Sequence, residues 1–194
     1  MPRNQFQRMI FALITVVITV HAYVFYSLYV INGNTFMQIT GKDSVLGAIN
    51  AMGGVSVLGK TVPIWAVVLI EFCFAYTLEV LLGSPLSLKL VCRVFKFGDV
   101  HPVIFETAII TATVGIMCPS MSFIAAILYY PYGMVDFNVF TLLANWLKLV
   151  CFNLPFAFFS QLLFIQPFVR TVFKFIFSKD IAARAASEKG AVQA

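Results

Sequence analysis

Four long apolar runs constrain this chain more than any other feature. They fall at about residues 8–31, 62–83, 103–130 and 145–168, and roughly 20 mostly apolar residues are what a helix needs to cross about 30 Å of hydrocarbon. Lipid offers no partner for backbone N–H and C=O groups, so each run is expected to be a helix that satisfies its own. Composition agrees. Of the 194 residues, 61% are hydrophobic and 11% charged, with a mean hydropathy of +0.94, against about 45–50% apolar and about 25% charged in soluble domains. The expected fold class is an all-α membrane protein with four transmembrane helices. The first run follows Arg3 and Arg8 as a secretory leader would, but continues to Ile31 with no small-x-small cleavage pattern. It therefore reads as a retained signal anchor.

Basic residues near span ends stay on the cytoplasmic side. Ten of them (Arg3, Arg8, Lys89, Arg93, Lys96, Arg170, Lys174, Lys179, Arg184, Lys189) flank one side of the four runs, and three (Lys42, Lys60, Lys148) flank the other. Both termini and the middle loop are therefore expected inside. The net charge of +5 follows from that topology, and a nucleic-acid partner has no support. Cys73, Cys92, Cys118 and Cys151 show no C-x-x-C spacing and no histidine pair nearby; the three inside the runs, Cys73, Cys118 and Cys151, read as small apolar fillers, and no metal or cofactor is expected. No nucleophile or metal motif marks an enzyme.

The two halves echo one another, each with a span, an outer connection, a second span and a basic amphipathic segment. Trp65 and Trp146 open the second spans, Glu79 and Gln161 lie late in them, and Pro85 and Pro167 end them. Lys89 and Arg93 mirror Arg170 and Lys174, with the offset between halves sliding between 81 and 82 residues. Two spans per unit make these parallel repeats, not inverted ones. The units are 1–100, with a long outer loop at 32–61, and 101–178, followed by a flexible cytoplasmic tail at 179–194. In the first outer loop SVLGAINAMGGVSVLG is too short to span and reads as an interfacial or re-entrant helix. In the second, Asp136 is a plausible N-cap.

Polar residues inside the spans are the candidate site. At about 1.5 Å per residue, Glu71 lies roughly 12 Å below the outer surface, close to the level reached by His21 and Asn153. Glu79, Gln161 and Glu106 form a second level near the inner interface. An intramembrane acid is a functional hypothesis by default, so Glu71 is the proton-carrying candidate and His21 its modulator, with Asn153 a substrate or proton-path contact. The other three read in the first place as interhelical hydrogen bonds or interfacial charges, and only then as proton or substrate contacts. Pro119 and Pro155 interrupt the third and fourth spans as helix kinks, freeing carbonyls near Gly115 and Cys151.

The opening MPRNQFQRMIFALITVVITVHAYVFYSLYVINGN and the late NWLKLVCFNLPFAFFSQLLFIQPFVRTVFKFIF resemble the small bacterial integral membrane proteins grouped as domain of unknown function 2798. That resemblance implies tandem two-span units and the bacterial cytoplasmic membrane, and supplies no activity. HPVIFE, His101 to Glu106, is also similar to a span opening in the proteobacterial antimicrobial compound efflux transporters. QRMIFALITV in the first span lacks the acid that family places there, so its mechanism does not carry over. Two functions fit these residues. One is a small proton-linked transporter that exports an amphipathic compound, working as a homodimer. The other is a non-transporting scaffold or accessory subunit in the lipid bilayer.

Overall fold

The computed structural model describes residues 5–95, 100–132 and 136–178; Arg3, Lys96, Lys179, Arg184, Lys189 and the tail at 179–194 lie outside them. Four helices are long and apolar enough to cross a membrane: Gln5–Ile31, Ile64–Val94, Pro102–Leu128 and Val139–Ile176. The chain is a multi-pass membrane protein. The first span packs on the second and the fourth, and the third packs on those same two, closing a four-helix ring.

What lies inside the ring explains why the helices approach closely. Without a hydrophobic force between helices in lipid, small side chains at the contacts let backbones come together. Ala75, Ala126, Ala157, Gly83, Ser87 and Ser122 occupy such buried positions. The first span buries Val16, Val20, Val24 and Leu28, one residue per turn, and the third buries Val114, Cys118, Ser122 and Ala126 at the same spacing. The second span buries Ala75, Gly83, Ser87 and Val91; the fourth buries Ala157, Ile165, Val169 and Phe173, each 82 residues later. Large apolar side chains such as Trp65, Phe140, Phe164 and Phe175 point outward, as lipid-facing residues should.

The second and fourth spans also share a local irregularity. Glu79–Gly83 and Gln161–Ile165 are π-helical turns, each closing with Ser84 or Gln166 donating its N–H to the carbonyl five residues back. Proline follows at once in both, Pro85 and Pro167, and has no N–H to give. The wider turn re-registers the ladder ahead of the missing donor, so the helix continues instead of stopping. This corrects the expectation that Pro85 and Pro167 end the spans: the helices run on to Val94 and Ile176. The basic amphipathic segments pack one face on the bundle, Phe173 meeting Phe11 edge-on at 5.6 Å. Trp146 does not open its span either, since that helix starts seven residues earlier at Val139.

The first outer connection is folded, but not as one helix. Two short helices, Gly33–Thr40 and Val45–Ala51, are followed by an antiparallel hairpin of β1 (Val55–Val57) and β2 (Lys60–Val62). The helical reading of 44–59 therefore holds for Val45–Ala51 and gives way to the hairpin beyond it, in a fold that is otherwise mostly helical. Ser44 caps the second short helix by accepting from the Gly47 N–H. Gly53 and Gly54, at φ +74° and +135°, then turn the chain out of helix. Alternating Val55, Ser56, Val57 suits a half-buried strand. A two-residue hairpin turn of matching twist needs positive φ at both central positions; Leu58 and Gly59 supply +51° and +76°. Val55 and Val57 face inward and join Ile49, Leu28, Val67 and Leu128 in one apolar cluster, so the hairpin caps one end of the bundle. Its tip is fastened where the Leu58 N–H donates to the Leu128 carbonyl at 2.8 Å. In the second outer connection the N-cap is Asn138, which accepts from the Phe140 N–H at 2.8 Å, and not Asp136. Asp136 instead offers its backbone carbonyl to the Tyr130 hydroxyl.

Candidate functional site

Each polar candidate can be followed to its partner. Glu71, seven residues into the second span, accepts at Oε1 a short hydrogen bond from the Tyr129 hydroxyl, 2.5 Å, at the C-terminal end of the third span. His21 does not join them. Its side chain is on the exposed side of the first span, where Nδ1 donates to the Val17 carbonyl one turn back at 2.7 Å. The expected Glu71–His21 pair is therefore absent from the fold, because the inner stripe of the first span is Val16, Val20 and Val24 and leaves residue 21 on the other side. Asn153 meets neither of them. Its Nδ2 reaches Ser122 Oγ at 3.4 Å, seven residues before Tyr129 on the third span.

The inner candidates separate in the same way. Gln161 crosses from the fourth span to the first, donating from Nε2 to Thr19 Oγ1 at 2.8 Å; Thr19 passes its own proton to the Thr15 carbonyl. Glu79, at the matching position of the second span, folds back and accepts from the Ser84 hydroxyl at 2.7 Å. Gln166 makes the corresponding longer bond to Gln161 at 3.4 Å. Gly83 leaves room for that fold-back, since a Cβ there would lie 2.5 Å from Glu79 Oε2 and 3.0 Å from Met117 Sδ on the third span. Glu79 is thus satisfied by a serine of its own helix. Glu106 forms an ion pair with Arg170 of the fourth span at 2.5 Å.

The kinks act as contacts too. Both helices run through their prolines, Pro119 and Pro155. The Trp146 indole N–H donates to the Pro119 carbonyl at 2.9 Å, tying the fourth span to the third at the interruption. Pro155 lies beside a lipid-facing groove of about 530 Å³ that it lines with Tyr26, Cys151, Phe152 and Phe156. Of the cysteines, Cys118 is buried whereas Cys73, Cys92 and Cys151 face outward, so the filler reading fits one of the three expected inside spans. Among the described residues no group of three or more His, Cys, Asp or Glu side chains converges as metal ligands. His101 caps the third span, accepting from the Val103 N–H at 3.4 Å.

Sequence reading found one half of these pairs and missed the other: Tyr129, Thr19, Ser122 and the Trp146–Pro119 contact. Threonine and serine in a span ordinarily bond the carbonyl one turn back, as Thr15, Thr107, Thr111 and Thr113 do here, so nothing in the sequence singled out Thr19. Tyr129, next to Tyr130 at the end of an apolar run, carries no mark of its own in the sequence either. Comparison with protein-family models, with curated proteins and with solved structures yields no significant match for this chain.

Proposed function

We propose that the chain is a non-transporting scaffold or accessory subunit of the bacterial cytoplasmic membrane, whose intramembrane polar groups fix the register of its helices. One observation carries this reading: Glu71, Asn153, Gln161 and Glu106 each bond a side chain on a different span. A polar group in hydrocarbon that finds its partner on a neighbouring helix defines how far the two can slide. The architecture that goes with this is two tandem two-span units running in the same sense, with both termini inside. The 82-residue correspondence of buried positions and of π-turns supports it, as does the placement of basic residues.

Proton-linked transport is the second reading, favoured by Glu71, whose bonded partner is a neutral hydroxyl and not a cation. A carboxyl so placed can take up and release a proton. The Gln161–Thr19 pair tests the first reading. Gln161→Leu, Thr19→Val and the double variant, unfolded reversibly in bicelles, should show a coupling of about 0.6 kcal/mol and at most about 1.7 kcal/mol. Strictly additive effects would remove the observation's energetic meaning and with it the scaffold reading.

A further inference from the structure

We infer that a water molecule is bound inside the bundle at Asn153, at the end of a polar chain that runs from the first span to the fourth. The chain is Tyr23 on the first span, Cys118 and Ser122 on the third, and Asn153 on the fourth. Cys118 and Ser122 are buried one turn apart on the same face of the third span, Tyr23 packs against the buried cluster that contains Cys118, and Ser122 accepts from Asn153. Cys118 and Ser122 are 5% and 2% exposed. At the far end, Asn153 Oδ1 is buried with no protein donor. A buried amide oxygen left without a partner loses its hydrogen bond to water and gains none.

The amide itself narrows the ligand. Exchanging its oxygen and nitrogen would satisfy the carbonyl at Ser122 and leave the NH₂ unpartnered instead. Only a molecule that both donates and accepts meets the need in either orientation, and an acyl chain does neither. Water does both, and two to four polar partners are what a buried water requires; Asn153 and the Ser122 hydroxyl beside it supply two. The wall toward lipid is aromatic. Tyr26 stacks on Phe156 at 4.0 Å with an interplanar angle of 1°, and Tyr23 meets Phe156 edge-on at 5.4 Å. These rings stand between the polar chain and the lipid-facing groove that Tyr26 and Phe156 line, and so keep alkyl chains out. The inference does not depend on which functional reading holds, since hydration here would serve a static lock or a proton path alike.

Hydroxyl-radical pulse labelling of the protein in nanodiscs tests it, because a bound water generates the radical beside its own contacts. Buried Cys118 should be oxidised several-fold faster than Cys73, which lies on the outer face of the second span. Asn153→Leu should bring Cys118 and Tyr23 down several-fold, and leave Tyr130 unchanged. Tyr130 is 2% exposed and its hydroxyl is already held by the Asp136 carbonyl and the Asn138 N–H. Should Asn153→Leu not fold, Ser122→Ala removes a smaller part of the same chain and should give the same decrease. Labelling of Cys118 at or below that of Cys73 overturns the inference, and so does labelling that a folded variant leaves unaltered.

Discussion

Tyr129→Phe removes one hydroxyl and keeps the ring, so it isolates the bond to Glu71. The effect has two parts. The hydrogen bond itself, between helices in a bilayer, contributes about 0.6 kcal/mol on average. Stranding a buried partner adds its desolvation, about 1–3 kcal/mol for such groups. Glu71 lies among apolar neighbours of the second span, Ile70 and Phe72, which pack on the apolar cluster under the hairpin. Tyr129→Phe should therefore cost about 2–4 kcal/mol. Adding Glu71→Leu removes the stranded acceptor, and replacing both partners by apolar groups is nearly neutral, so the double variant should return to within about 1 kcal/mol of the wild type. Glu71→Gln keeps an oxygen for Tyr129 and should cost less than Tyr129→Phe. Reversible unfolding in mixed micelles, followed by circular dichroism, measures all four proteins. A Tyr129→Phe variant indistinguishable from wild type would refute the reasoning, and so would a double variant no more stable than the single.

Gly54→Ala should destabilise the outer hairpin more than any other single-methyl addition there. A Cβ at Gly54 would lie 2.1 Å from the Val62 carbonyl oxygen, which is backbone and cannot turn aside, and φ is +135°. A loss of at least about 2 kcal/mol is expected, with faster amide exchange at Leu58, whose N–H holds the hairpin to Leu128. Asn138→Ala removes the cap of the fourth span and should cost about 1 kcal/mol, read in the same unfolding assay; Asp136→Ala should cost less, since Asp136 contributes only its backbone carbonyl to Tyr130.

Hydrophobic length identified the four spans, because lipid leaves a run of that kind no alternative to a helix. Their ends were harder. Proline normally marks a helix stop, and only the π-turns at Glu79 and Gln161 carry the helices past Pro85 and Pro167. The equivalence of Glu79 with Gln161 was legible, yet one folds back on its own helix and the other crosses to the first span. That difference rests on what the facing helix offers: Met117 lies at Gly83, beside Glu79, while Thr19 faces Gln161. Depth counting along a helix axis gives height but not direction around it. This is why His21 could be placed near the level of Glu71 and still be found on the exposed side of its helix. The hairpin was hidden by composition. Small and β-branched residues from Gly53 to Val62 suit a loose loop as well as a strand, and the deciding feature, positive φ at Leu58, has no signature in a leucine.

Proton flux into proteoliposomes under a pH gradient decides between a lock and a carrier at Glu71. Wild type and Glu71→Gln are compared side by side, each with a panel of amphipathic amines and acids, after both have been shown to be folded. If Glu71 serves with Tyr129 to hold the second span against the third, no compound will evoke a flux that Glu71→Gln abolishes. A flux that requires both a compound and Glu71, lost in a variant that keeps its fold, would contradict the scaffold account and establish coupled transport.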